Sequence, residues 1–237
     1  MCGRFVSTTS PEQIAERFRV DESRVSDHLS DYNVAPRQGV YAVRERPPRG
    51  ESTEQVRRYL DRLRWGLVPS WAKDPGIGDR MINARAESLA DKPGYRRSFE
   101  KRRCIIPADG FYEWQRREGR AKQPMYIRRR DGELMAFAGL WAAWREPDVP
   151  DDDEWLRTCA IVTTRANELL APIHDRMPVL LPESAWEQWL DPTNHDLESL
   201  QALLEPAPDE WLELYPVSRR VNKAEHKGAE LLERVDA

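Results

Sequence analysis

The chain has 237 residues, enough to bury a substantial core, and its 40% apolar and 33% charged residues describe a globular protein with a heavily solvated surface. A formal charge of -4 argues against a generic polyanion binder, because nonspecific affinity for nucleic acid comes largely from Lys and Arg neutralising phosphates. The charge is uneven, with Arg and Lys recurring through residues 96–130 and acidic residues through 148–154 and 205–213, so a local basic groove and an ordinary solvated surface both remain open.

Taken in chain order, Ser10-Pro11-Glu12-Gln13 reads as a helix start: Ser10 is the N-cap, Pro11 occupies the first helical position and Gln13 completes a capping box. Ile14, Ala15 and Phe18 supply its buried face. Residues 40–43 read as a short strand, 47–50 (Pro-Pro-Arg-Gly) as a loop, 56–65 as a second strand, and 68–77, with two prolines and a glycine, as an ordered loop. A short helix is expected around 95–102, followed by a buried strand at 104–107. Strand-like 125–129 and 134–140 flank Asp131-Gly132, which signals a hairpin. Residues 147–154 read as an exposed acidic loop, 158–164 and 177–181 as buried strands, and 183–190 and 197–204 as helices.

Short strands interrupted by helices predict an α+β fold, and no linker-like stretch or internal repeat divides the chain, so a single domain over 1–237 is expected. Neither a secretory signal nor an apolar run approaching about 18 residues is present, which predicts a soluble, cytoplasmic protein. Three widely spaced cysteines, Cys2, Cys104 and Cys159, suggest free thiols; no metal site and no cofactor are expected.

Five features carry chemistry. Cys2 becomes the N-terminal residue once Met1 is removed, and its amine and thiol, with reference pKa values near 7.7–8.0 and about 8.5, are both usable nucleophiles near neutral pH. A 1,2-aminothiol suits carbonyls: the amine forms a Schiff base and the thiol closes a five-membered thiazolidine on the same carbon. Taken alone, Cys2 reads more readily as an incidental cysteine. Glu113 lies within Gly110-Phe111-Tyr112-Glu113-Trp114, where desolvation by aromatic neighbours would raise its pKa towards values useful in proton transfer. His174, in Pro172-Ile173-His174-Asp175-Arg176, is a candidate proton shuttle beside a candidate phosphate clamp, Arg176. Asn83-Ala84-Arg85 offers an uncharged donor and a cation for a sugar and its phosphate, and Trp65, Trp71 and Trp114 are candidate stacking surfaces. Core packing is the competing reading for each tryptophan.

Cys2-Gly3-Arg4-Phe5, 32–36 (Tyr-Asn-Val-Ala-Pro), 64–69 (Arg-Trp-Gly-Leu-Val-Pro), Asn83-Ala84-Arg85, 111–114 and His174-Asp175-Arg176-Met177-Pro178 occur in the order that resembles the SOS response-associated peptidase (SRAP) family. Pro216-Val217-Ser218, Val221-Asn222 and Gly228 extend the likeness over nearly the whole chain, from residue 2 to 228, leaving a few flexible residues at the C-terminus. The resemblance implies one α+β domain, with a mixed or antiparallel β core, flanking helices and a DNA-binding groove. It also implies a thiazolidine cross-link between Cys2 and the ring-opened aldehyde of an abasic site in single-stranded DNA, shielding the lesion in the damage response. By motif position, Asn83 would orient the opened sugar, Glu113 would transfer protons and His174 would assist ring opening, imine formation or reversal. Arg4, Arg85 and Arg176 would hold phosphates, Pro36 and Trp71 would stack on bases, and Trp114 and Met81 would wedge at a single-strand to duplex junction. A monomer associated with the nucleoid when on DNA is expected, with a peptidase activity confined to its own N-terminal residue. An N-terminal-cysteine peptidase acting on proteins, and a noncovalent reader of DNA, remain the alternatives.

Overall fold

The computed structural model describes residues 2–28, 30–47, 56–146 and 155–236. The acidic loop expected at 147–154, and most of that at 47–50, lie outside the described residues. The fold is α+β, as expected from the sequence. Its elements are β1 (Phe5–Ser7), α1 (Pro11–Arg17), β2 (Glu22–Ser23), β3 (Asp31–Val34), β4 (Gly39–Arg46), β5 (Arg57–Trp65), β6 (Asn83–Arg85), α2 (Pro93–Lys101), β7 (Arg103–Ala108) and β8 (Gly110–Arg117). They continue with β9 (Arg120–Arg129), β10 (Met135–Trp144), β11 (Leu156–Arg165), β12 (Arg176–Pro178), α3 (Trp186–Leu190), α4 (Leu197–Ala202) and β13 (Leu212–Pro216). The capping box at α1 forms as the sequence dictates: Ser10 accepts from the Gln13 amide and the Gln13 side chain accepts from the Ser10 amide.

The strands make two sheets. One has the order β13-β9-β8-β1-β3; the other runs β12-β11-β10-β7-β4-β5-β2, with β6 added beside β11. A parallel pairing of β11 with β5, Thr158 opposite Arg64 and Cys159 opposite Trp65, links β4, β5, β11, β10 and β7 into a closed ring. Closure removes the free edges that β5 and β11 would otherwise expose.

Alternation along the ring strands explains the two cores. Val40, Ala42, Leu63, Trp65, Cys104, Ile106 and Ile161 face inward and join Phe5, Phe111 and Ile127 of the first sheet. Their neighbours Tyr41, Val43, Leu60, Ile105, Ala160 and Val162 face outward beneath Ile14 and Phe18 beside α1, Phe99 of α2, and Trp186 and Trp189 of α3. Arg103 fixes two of these helices. Its guanidinium donates to the carbonyls of Phe99 and Glu100 at the end of α2 and of Trp189 and Asp191 at the end of α3, supplying donors that helix C-termini otherwise lack.

The expected hairpin at Asp131-Gly132 is a correction. A tight reversal is present, with Gly132 at φ 77° and its amide bonded to the Arg129 carbonyl at 3.3 Å. The flanking strands do not pair: β9 lies between β8 and β13, whereas β10 lies between β7 and β11, so this turn carries the chain from one sheet to the other. The hairpin of this region is instead β8–β9, closed at Gly119. Among the described residues no helix is long and apolar enough to cross a membrane.

Candidate active site around Cys2

Cys2 enters the site through sheet register. Strand β1 pairs antiparallel with β8, Phe5 opposite Phe111 and Val6 opposite Gly110, and the Tyr112 amide donates to the Arg4 carbonyl at 3.0 Å. Continuing that register by two residues sets Gly3 opposite Glu113, which brings the chain start against the carboxylate. The second sheet supplies the other wall. Parallel pairing of β6 with β11 places Asn83 opposite Ile161, and the Asn83 Nδ2 donates to the Cys2 carbonyl at 2.8 Å. Asn83 is itself held by the Tyr95 hydroxyl, which donates from α2 to the Asn83 carbonyl at 2.9 Å. Its side-chain Oδ1 is buried and accepts no hydrogen bond among the described residues.

Cys2 is fully buried, and Glu113 is 2% exposed. Burial pushes the Cys2 thiol well above its ordinary value, and the nearby Glu113 carboxylate pushes it further in the same direction. The thiol is therefore protonated at neutral pH. Burial also raises the Glu113 carboxyl, and a charge on His174 would oppose this in part. His174 sits in the loop before β12, its amide bonded to the Leu170 carbonyl at 3.0 Å. Its Nδ1 accepts from the Arg176 amide at 3.0 Å, so the neutral ring carries its proton on Nε2. The exposed Asp175 carboxylate lies 2.9 Å from the same Nδ1, a contact that is favourable only when Nδ1 carries a proton. Because Asp175 can turn to water, the backbone bond sets the tautomer.

The structure thus brings Cys2, Asn83 and Glu113 together, with His174 close enough to act on the Glu113 charge. The cations are arranged less simply. The guanidinium of Arg176 grips the Glu87 carboxylate through both terminal nitrogens, at 2.6 and 2.9 Å, and also donates to the Thr163 carbonyl at 2.5 Å. Arg4 donates to the Asn33 side chain and to the Val221 carbonyl, each at 2.9 Å. Trp114 donates from Nε1 to Asn222 Oδ1 at 2.7 Å, which ties the same C-terminal segment to β8. Arg85 projects to solvent from β6, Pro36 is half-buried and Trp71 is 59% exposed; these three stand outside the bonded set around Cys2. Half-buried Met81 packs against the outer core, and Gly94 fits so closely to its methyl that a Cβ there would lie 2.7 Å away.

Sequence reasoning missed two residues. Tyr95 fixes Asn83 from a helix that composition alone does not connect to the site. Thr163 is fully buried on β11, opposite Arg85 and Pro178, and its Oγ1 has no partner among the described residues. A hydroxyl inside an apolar strand was the available signal, since a buried polar atom without a partner is unfavourable unless water or a ligand satisfies it.

The family model for the SOS response associated peptidase (SRAP) matches residues 1–224. Abasic site processing protein YoqW of Bacillus subtilis is 42% identical over 234 residues, covering 98% of this chain and 99% of its own. Abasic site processing protein YedK of Escherichia coli is 32% identical over 240 residues, covering 99% and 100%. A solved structure of a protein from Bacteroides thetaiotaomicron superposes with a TM-score of 0.83 at 26% identity, covering 99% of this chain and all of that one.

Proposed function

The chain belongs to the SOS response associated peptidase (SRAP) family, and from that premise we propose that it processes abasic sites in DNA by capturing the lesion on Cys2. Until Met1 is removed, the Cys2 nitrogen is a peptide nitrogen and cannot attack a carbonyl; afterwards Cys2 is a 1,2-aminothiol. The amine adds to the aldehyde of the ring-opened sugar, the carbinolamine loses water to give an imine, and Sγ adds to the imine carbon while its proton passes to nitrogen. The product is a thiazolidine plus one water. Glu113, with its pKa raised by burial, accepts and returns protons in these steps, and His174 assists opening of the sugar ring.

The observation that carries this reading is the convergence on Cys2 of two separate strands, one bringing Asn83 to its carbonyl and the other bringing Glu113 to its thiol. The exposed indole of Trp71 favours a strand with unpaired bases. Incubation with an abasic single strand followed by denaturing electrophoresis tests the proposal. The processed wild-type protein should shift covalently and Cys2→Ala should not; an adduct of equal yield in Cys2→Ala, or in a chain that retains Met1, removes the aminothiol from the mechanism.

A further inference from the structure

Two large apolar side chains stand exposed among the described residues, Trp71 at 59% and Trp155 at 40%. The proposed function gives Trp71 a role and leaves Trp155 without one. Trp155 borders an open cleft of about 370 Å³ lined also by Arg62, Arg64 and Arg157, a volume within the range of about 300–1,000 Å³ usual for ligand sites. Gly39 keeps the cleft open: Arg62 lies across it so closely that a Cβ at residue 39 would sit 2.5 Å from the Arg62 Nε.

Among the described residues the charges at the cleft favour an anion. Arg62 pairs with Asp27 at 3.0 Å, whereas Arg64 reaches Asp79 only at 3.7 Å, and Arg157 forms no ion pair among the described residues. The cleft is linked through neighbouring residues to Trp71 and to Pro36, the stacking residues that the family resemblance implies. Asp79 is shared between Arg64 and Arg37, the residue after Pro36. Leu156, the residue after Trp155, packs in one cluster with Ala72, the residue after Trp71.

We infer that this cleft is a second nucleotide subsite, in which a base of the single strand flanking the lesion stacks on Trp155 while Arg157 and Arg64 hold the adjoining phosphate. The inference rests on the reading that single-stranded DNA is the substrate, and extends its path past Pro36 and Trp71. An indole beside guanidiniums, one of them without an ion pair among the described residues, is the combination that binds single strands without sequence preference, since every base has a face to stack and every nucleotide a phosphate.

The test uses undamaged oligothymidylates of about 6 and about 16 nucleotides, a span that brackets usual single-strand site sizes. Anisotropy titrations should show the Trp155→Ala, Arg157→Gln double variant binding the longer strand about tenfold more weakly than wild type. Its salt dependence should also be shallower by about 0.7, the contribution of one phosphate. Affinity for the shorter strand and covalent yield on a short abasic strand should be unchanged. Arg157→Lys, which keeps the charge, should keep the salt dependence. Equal weakening at both lengths, or none at either, overturns the subsite. Because this readout uses undamaged DNA, a wild-type protein that forms no adduct yet shows the length-dependent loss would sink the abasic-site reading and leave the subsite standing.

Discussion

At the residue scale the proposed mechanism turns on Glu113. A carboxyl whose folded pKa is raised favours the neutral form, so the fold suffers no penalty below the unfolded value of about 4.3 and loses stability as pH rises from there through the folded value. Glu113→Gln, a neutral isostere, should therefore raise the thermal midpoint at pH 8 relative to wild type, with the advantage fading by about pH 4. The same variant should form adduct about a hundredfold more slowly, the usual contribution of a general acid or base, while its affinity for undamaged DNA stays near wild type. A midpoint difference independent of pH would show that the charge on Glu113 is not what burial penalises. Cys2, Glu113 and His174 could be named as candidates from the sequence because each brings a group whose chemistry is intrinsic to its type, whereas Asn83, a weak signal by itself, was singled out by the family resemblance. The state of the cations was not. Arg176 lies in an obvious motif, yet only the fold shows that Glu87, 89 residues away, occupies its guanidinium. For phosphate to take that place, the bidentate pair must exchange.

At the element scale, Gly66 shows why a motif glycine is a glycine. It follows β5 at φ 126°, and a Cβ would lie 2.7 Å from the Gly78 carbonyl oxygen, so both the backbone conformation and the space exclude a side chain. Its amide closes the ring by donating to the Cys159 carbonyl at 2.8 Å. Gly66→Ala should lower unfolding free energy by about 3 kcal/mol in urea titrations, the sum of local strain and overpacking, and a loss below about 0.5 kcal/mol would mean the approach relaxes freely. The longer elements were legible for related reasons: β7 and β11 are apolar enough to signal burial, β4 opens on an apolar run, and α1 carries its own capping box. β1, β3 and β6, of three, four and three residues, are too short to show a period, and they carry or flank Cys2, Asn33 and Asn83. Turn chemistry at Asp131-Gly132 reports a local reversal and contains nothing about which strand lies opposite, which is why it does not select between a hairpin and a passage between sheets.

At the scale of the whole molecule, the ring interior changes character along its length. Near the chain start it holds Phe5, Trp65, Phe137 and Ile161, with rings of Phe5 and Trp65 packed edge to face at 5.2 Å. Towards the far ends of β4 and β10 it holds Arg44, whose Nε donates to Asp61 at 2.7 Å and whose guanidinium lies 4.4 Å over Trp141. Arg44 is fully buried, and its two terminal nitrogens have no hydrogen-bond partner among the described residues, so Asp61 is its one ionic counterweight there. A buried pair of this kind is weak support for stability, because removing two charges from water offsets much of their attraction, but breaking it strands a charge in the core. Asp61→Asn should consequently lower unfolding free energy by about 3–5 kcal/mol. Arg44→Met combined with Asp61→Leu should be far less harmful than the sum of the two single changes, since no charge is then left alone and the methionine still packs on Trp141. Urea unfolding of the four proteins gives the coupling directly. Additive losses across that cycle would mean that the ring end is held by side-chain volume, and that the ion pair has no special part in closing it.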